Sequence, residues 1–211
     1  MFTVKEITPE EAGRKAAYDM FVNAPMPMVT TFRTADVSNL VKLSKKGFRF
    51  NMLMCYCVGL AASGRREFLI VPNKKKLYLY EGLAIDVVVL NRNGELSYAD
   101  IPFSEDIGEF PAAYDSITKK VYESCEHQNR EDLAVVGTSV VRDGATKGVV
   151  NSYSGVFDNP FIIWNGVTKK LFKSFVNISF QFNHIQMDGL RAEDYLSVLT
   201  ERIKELSIVY R

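Results

Sequence analysis

The chain of 211 residues is long enough for one domain with a substantial core, and 47% of its residues are apolar. Its 26 basic and 25 acidic residues nearly cancel, so the composition argues against a general binder of nucleic acid or of membrane surfaces. The N-terminus lacks the pattern of a signal peptide, and no apolar run is long enough to cross a membrane, which predicts a cytoplasmic protein. The three cysteines lack metal-ligand spacing, and we expect no bound metal.

The first half of the chain predicts alternating helices and strands. Thr8, Pro9 and Glu11 form a capping-box pattern, which predicts a helix from there to about Val22. A β-branched strand, a short helix capped by Asp36, a mostly apolar helix, a hairpin and a further strand are expected to follow. Their ranges are 28–34, 36–43, 50–62, 68–80 and 84–90.

The second half predicts one long helix, several strands and a final helix. Helical spacing covers 104–128, and strands are expected at 134–141, 148–153 and 161–164. From 176 to 183 apolar and polar residues alternate strictly, which predicts a strand with one buried face. A helical pattern over 192–206 ends the chain. Since there is no repeat or linker, we predict one α/β domain over residues 1–211, with a mixed sheet covered by helices.

Only two histidines are present. His127 lies in a polar stretch typical of an exposed helix end and is interpreted as a surface residue. His184 directly follows the alternating strand and precedes Asp188 and Gly189, which places an imidazole where a strand leaves the core. An imidazole is suited to proton abstraction near neutral pH. The alternative is a core histidine satisfied by backbone groups, and spacing alone does not decide between the two.

The end of the alternating strand carries a motif. It reads Phe-Asn-His-Ile-Gln-Met-Asp-Gly and resembles the His-His-x-x-x-Asp-Gly signature of chloramphenicol acetyltransferases, which other CoA-dependent acyltransferases share. The segment 13–21 is similar to the family's N-terminal Arg-Lys-x-x-x-Phe-x-x-Phe helix, and 40–48 and 101–105 match further segments. The resemblance implies a two-layer CoA-dependent acyltransferase sandwich.

The resemblance also assigns roles to several residues. It implies that His184 removes the proton of an acceptor hydroxyl, which attacks the thioester of acetyl-CoA without a covalent acyl-enzyme. It implies an ion pair between Asp188 and Arg14 that braces the turn ending at Gly189. We expect this pair to fix the position of His184 more than it stabilises the fold.

The tetrahedral intermediate needs a hydrogen-bond donor facing its oxyanion, and the family uses a serine. The counterpart is Ser154, or Ser152 if the register shifts by two. Phe161 and Trp164 either line an apolar acceptor pocket or simply pack. The resemblance further implies acetyl-CoA as co-substrate, a homotrimer with active sites between subunits, and a small hydroxylated acceptor, with chloramphenicol the leading candidate.

Three positions depart from the family pattern. Asn183 replaces the first histidine of the signature, and Arg191 replaces a histidine after Asp-Gly. The segment 163–166 has no counterpart of the family's threonine in Thr-x-Gly. These departures leave the acceptor open. They also keep two alternatives: a non-catalytic small-molecule-binding protein on the same scaffold, and the catalytic domain of a dihydrolipoamide acyltransferase, whose acceptor is a thiol.

Overall fold

The computed structural model describes residues 2–153 and 158–207. Its helices α1 to α6 are Lys15–Phe21, Ser38–Ser44, Phe50–Ala62, Arg66–Leu69, Glu109–Ser124 and Gly189–Glu205. Its strands β1 to β10 are Val4–Ile7, Met28–Asp36, Ile70–Asn73, Lys76–Tyr80, Leu83–Leu90, Leu96–Pro102, Ala134–Val141, Phe161–Asn165, Thr168–Lys170 and Lys173–Asn183.

The larger sheet has seven strands, six of them in the order β2-β10-β8-β7-β5-β6, with β9 paired to β10. The pairings of β5 with β7 and of β7 with β8 are parallel, and the others are antiparallel, so the sheet is mixed. β10 lies inside the sheet and pairs with β2 from Phe175 to Asn183. The residue that follows β10 therefore leaves the sheet between two neighbouring strands.

One face of this sheet carries the helices. Along β10, every second residue is at most 1% exposed and enters the main core: Val176, Ile178, Phe180 and Phe182. α3 is buried on nearly all sides, and the apolar stripe of α6 packs into the same core. Fully burying side chains of this size stabilises the fold by about 1.5–3 kcal/mol each. The alternating strand and the predicted mixed sheet covered by helices are confirmed.

A second, three-stranded sheet has the order β1-β4-β3 and packs with α1. The small apolar cluster between them includes Ile7 and Leu77 from the sheet and Ile185 from the turn after β10. Tyr18 and Phe21 of α1 pack against this cluster. The N-terminal elements are thereby attached to the turn that carries the motif histidine.

The N-terminal helix begins later than predicted. The capping box is formed, because the Glu11 N–H donates to Thr8 Oγ1 at 3.1 Å and the Thr8 N–H donates to Glu11 Oε2 at 2.8 Å. However, Gly13 has a φ of +67°, a left-handed conformation that ends this turn, and α1 starts only at Lys15. Arg14 lies between the two and is the N-cap residue of α1.

Two further predictions are wrong in part. The helix expected over 104–128 forms over Glu109–Ser124, because the Gly108 N–H binds the Asp106 carboxylate in a preceding turn and Cys125 ends the helix at a φ of +62°. The segment 148–153 is not a strand. Its groups bond to side chains of β10 rather than to a neighbouring backbone, as when the Val149 N–H donates to Ser179 Oγ at 2.9 Å. The pattern also does not predict β1, β6 or β9.

Within residues 2–153 and 158–207, no helix is both long and apolar enough to span a bilayer. The same residues contain no group of three histidine, cysteine, aspartate or glutamate side chains placed to share a metal ion.

Two buried aspartates face each other on neighbouring strands. Asp86 of β5 and Asp100 of β6 are directly opposite in the register, and each is 7% exposed. The Arg130 backbone N–H donates to Asp100 Oδ2 at 2.7 Å, whereas Asp86 Oδ1 has no hydrogen-bond partner among the described residues. Burial, and then the charge of Asp100, raises the pKa of Asp86 to about 7. The folded protein therefore holds a proton here that the unfolded chain loses near its ordinary pKa of 3.8.

We expect Asp86→Asn to stabilise the protein at pH 8 and to have little effect at pH 4. Because the folded state binds the extra proton, stability falls as pH rises from about 4 to about 7, by up to about 4 kcal/mol. An amide removes this loss. Urea unfolding of both proteins at the two pH values measures it, with Asp115→Asn at an exposed site as control. An equal effect of Asp86→Asn at pH 4 and pH 8 would contradict the assignment.

Candidate active site at the end of β10

The turn after β10 is held by its first residues. Asn183 Oδ1 accepts the Ile185 N–H at 2.8 Å, and the His184 N–H donates to the Pro27 carbonyl at 2.9 Å. The strand thus ends at Asn183 with its amide group folded back on the turn. Pro27 precedes β2, so the neighbouring strand fixes the backbone of His184 from the other side.

The turn ends where α6 begins. Asp188 is the N-cap residue of α6, and its Oδ1 accepts the Arg191 N–H at 3.1 Å. Gly189 is the first residue of the helix. Asp188 Oδ2 also accepts from Nη1 of Arg191 at 2.8 Å, although that guanidinium is about half exposed. Arg191, which departs from the family pattern, therefore donates to the Asp188 carboxylate through both its backbone and its side chain.

A single arginine fastens both ends of the turn. Arg14 Nη2 donates to the His184 carbonyl at 2.9 Å, and its Nε donates to the Ile185 carbonyl at 2.8 Å. Its Nη1 pairs with Asp188 Oδ2 at 3.0 Å, and the Arg14 side chain is 13% exposed. Partial burial opposes ionisation of Asp188, but hydrogen bonds from the Arg191 backbone and from Arg14 outweigh it and lower the pKa of Asp188. The planar fork of a guanidinium suits this threefold contact, which an ammonium cannot reproduce.

The His184 ring is oriented by stacking. It lies against Phe21 of α1, with ring centroids 4.4 Å apart and an interplanar angle of 27°. His184 is partly exposed, and its Nδ1 atom is buried without a hydrogen-bond partner among the described residues. The amide group of Gln186 is likewise buried and unpartnered within that part of the chain. The turn therefore offers polar atoms that the described residues leave unused, beside an imidazole whose backbone is fixed.

The segment before β8 approaches the end of β10. Gln181 Nε2 donates to the Asn151 carbonyl at 3.0 Å, and Asn183 Nδ2 donates to Asp158 Oδ1 at 2.8 Å. Ser152, the alternative oxyanion donor, is exposed. Ser154, the first candidate for that donor, lies outside the described residues.

The two aromatic candidates for the acceptor pocket lie on opposite faces of β8. Trp164 is 1% exposed and packs in the main core, where its Nε1 is 3.4 Å from Asn51 Oδ1. Phe161 lies on the other face, and its ring covers Gly137 so closely that a Cβ added to Gly137 would be 2.3 Å from the Phe161 ring. Phe161 and Trp164 are three positions apart, and side chains an odd number of positions apart on a strand point to opposite faces, so these two do not line a common pocket of one subunit.

Sequence reasoning did not single out Phe21 or Asp158 as site residues. Phe21 stands in the segment similar to the family's N-terminal helix, so its aromatic ring was a usable signal. No local signal points to Asp158, whose place beside Asn183 results from tertiary contacts. The other histidine, His127, is exposed, and its Nδ1 accepts the Tyr98 N–H at 3.1 Å.

Two shallow cavities lie at the surface, and the lining of the first shares Ile7 and Leu77 with the small apolar cluster. One of about 370 Å³ lies between β1, β4 and α1, and one of about 340 Å³ lies beside β2 and α6. His184 lines neither, so neither provides an acceptor pocket for it.

Comparison with known proteins shows a shared fold. No protein-family model matches the sequence, and a search of curated proteins gives no match. The structure is similar to a chloramphenicol acetyltransferase, with a TM-score of 0.78 and 14% identity over 96% of this chain and 99% of that chain. For a probable dihydrolipoamide acetyltransferase from Listeria monocytogenes, the TM-score is 0.67 and the sequence identity is 14% over 98% of each chain. For the truncated catalytic core of a 2-oxoacid dehydrogenase multienzyme complex from Thermoplasma acidophilum, the TM-score is 0.66 and the sequence identity is 17%, over 91% of this chain and 94% of that chain.

The chain therefore has the mixed α/β fold of CoA-dependent acyltransferase catalytic cores. It shares this fold with a chloramphenicol acetyltransferase over nearly its whole length, as the motif after β10 predicts. At 14–17% identity this likeness establishes the fold.

Proposed function

We propose that this protein is an acetyl-CoA-dependent O-acetyltransferase of a small hydroxylated acceptor, with His184 as general base. The observation that carries the proposal is the turn itself. Arg14 binds the backbone of His184 and the carboxylate of Asp188 together, on the fold of acyltransferase catalytic cores. Fixing a base to within a fraction of an ångström is what acyl transfer requires and a binding surface does not.

The proposed reaction has two steps. The imidazole of His184 takes the proton of the acceptor hydroxyl while its oxygen forms a bond to the thioester carbonyl carbon. The resulting tetrahedral intermediate expels the thiolate of CoA, which receives the proton from the imidazolium. General base catalysis of this kind contributes about 10²- to 10⁴-fold.

The negative oxygen of the intermediate calls for a hydrogen-bond donor. We assign that role to Ser154, with Ser152 as the alternative, and such a donor contributes on the order of 100- to 1000-fold. Asn151 precedes Ser154 in sequence and Asp158 follows it. Both form hydrogen bonds with β10, the strand that precedes His184, and this supports the choice of the segment.

By its likeness to chloramphenicol acetyltransferase we further propose a cytoplasmic homotrimer, with active sites between subunits. Each His184 would then meet an acceptor pocket built largely by the neighbouring subunit. The partial exposure of His184 and its absence from the two cavities support an arrangement in which another chain completes the site. Phe161, on the face of the sheet away from the helices, remains a candidate for such a pocket.

The test is release of CoA thiol from acetyl-CoA, followed with a thiol reagent, with and without chloramphenicol. Release that depends on chloramphenicol and yields acetylated drug is the expected result. Release with other hydroxylated compounds but not with chloramphenicol would keep the reaction and change the acceptor. If no acceptor in a broad hydroxyl panel supports release, the proposed O-acetylation is wrong.

A second candidate is transfer to a thiol acceptor, favoured by the fold shared with dihydrolipoamide acetyltransferases. Because a thiol acceptor reacts with thiol reagents itself, this arm needs direct detection of S-acetyl-dihydrolipoamide by chromatography. A protein that binds acceptors calorimetrically but transfers no acyl group would instead fit the non-catalytic alternative.

A further inference from the structure

The face of β10 opposite the helices carries polar side chains at every second position. Four of these side chains each form a hydrogen bond with the segment that precedes β8, at heavy-atom distances of 2.8 to 3.2 Å. The pairs are Asn177 with the Thr146 carbonyl, Ser179 with the Val149 N–H, Gln181 with the Asn151 carbonyl, and Asn183 with the Asp158 carboxylate. We call these four side chains the polar row of β10.

The row orders the segment along the strand. As the position on β10 advances by two, which is about 6.6 Å along a strand, the bonded residue also advances. The described bonding residues Thr146, Val149, Asn151 and Asp158 therefore follow one another in the same order as their partners along β10, towards His184. Asn151 and Asp158 bond to the last two members of the row before His184, Gln181 and Asn183. Three members of the row, Ser179, Gln181 and Asn183, are at most 4% exposed, so their hydrogen bonds are shielded from water.

Asn183 bonds in two directions at once. Its Nδ2 donates to Asp158, and its Oδ1 accepts the Ile185 N–H from inside the turn. One amide group therefore links the segment before β8 to the turn that carries His184. An asparagine supplies this donor and acceptor pair without a titrating group, at the position where the family signature has a histidine.

We infer that Asn183 and Gln181 are positioning residues of the acyl transfer proposed above. Asn183 acts through Asp158, and Gln181 acts through Asn151. The two hydrogen bonds hold Asp158 and Asn151 at the end of β10, so that their distance from the proposed base His184 stays fixed. The inference rests on the proposed function. It makes Asn183 a working replacement for the first histidine of the signature.

Exchange of the two partners tests the inference. Asn183→Asp keeps the acceptor for Ile185 but sets two carboxylates against each other, and we expect kcat to fall about 100-fold, because a displacement of about 1 Å costs that much. The KM for acetyl-CoA should change little. Asp158→Asn added to Asn183→Asp restores one donor and one acceptor, and we expect kcat to return to within about threefold of the wild type.

Asn177→Asp is the matched control. It breaks the same kind of hydrogen bond at the far end of the row, about 20 Å from Asn183 along the strand, and we expect kcat to stay unchanged. Equal kcat in Asn183→Asp, Asn177→Asp and the wild type would overturn the inference while leaving the proposed function intact. So would a lowered kcat that the exchange does not restore.

A wild type without acyl transfer would remove the proposed function and this inference together, which is a different result. If Asn183→Asp does not fold, Gln181→Met provides the second test, since it removes the bond to Asn151 at similar side-chain volume. A kcat loss of tenfold or more is expected there, and an unchanged kcat would equally refute the positioning role.

Discussion

His184→Ala is expected to lower kcat by about 10³-fold while leaving the affinity for acetyl-CoA nearly unchanged. The proposed base acts only when the acceptor hydroxyl attacks, so its removal affects the transition state rather than coenzyme binding. The backbone of His184 stays bonded to Pro27 and Arg14, since those contacts use main-chain atoms. Steady-state kinetics and calorimetric titration with acetyl-CoA measure the two quantities.

The chain supplies its own control for this experiment. His127→Ala removes the other histidine, which is exposed and distant in sequence, and activity should not change. Thermal unfolding of both variants decides the remaining alternative. A protein that unfolds on loss of His184 but keeps its specific activity would identify His184 as a core histidine, and the proposed mechanism would be wrong.

Arg14→Ala is expected to destabilise the protein by about 3 kcal/mol and to reduce kcat together. Removing Arg14 leaves Asp188 with only the half-exposed Arg191 as a charged partner, and two backbone carbonyls lose their donor as well. Urea unfolding gives the stability, and the thiol assay gives kcat. Arg14→Lys should recover only part of the loss, because an ammonium cannot make the three bonds of the guanidinium at once.

Arg191→Ala is the matched comparison for this brace. Arg191 bonds the same carboxylate oxygen, but its side chain is 48% exposed, so its loss should cost under about 1 kcal/mol. Similar losses of stability in Arg14→Ala and Arg191→Ala would mean that the buried contact adds nothing beyond a surface ion pair, contrary to its proposed role.

Local patterns predicted the parts of this fold that local physics determines. β10 alternates because one face packs on helices and the other carries the polar row, and that period is visible in the sequence. α6 is likewise predictable from the sequence, because its buried apolar residues recur at helical spacing. At the N-terminus the capping box of Thr8 and Glu11 forms as predicted, but the helix does not continue from it, because Gly13 adopts a left-handed conformation.

The errors have a common physical origin. The segment 148–153 has the composition of a strand, but side chains of β10 bond to its backbone, and no local pattern distinguishes this arrangement from pairing with a neighbouring strand. Asp158 and Phe21 join the site only through contacts with residues far along the chain. The motif places His184 and Asp188 in one turn because they are only four positions apart in sequence, whereas the neighbours of this turn depend on the whole fold.

The brace also bears on how the protein reaches its native state. Arg14 and Asp188 are 174 positions apart in sequence, so their contact closes nearly the entire chain into one loop. Contacts of such long range are made slowly, after local helices and hairpins have formed. We therefore expect the orientation of His184 to be established late in folding, so that partly folded molecules with most of their secondary structure in place lack an ordered candidate site.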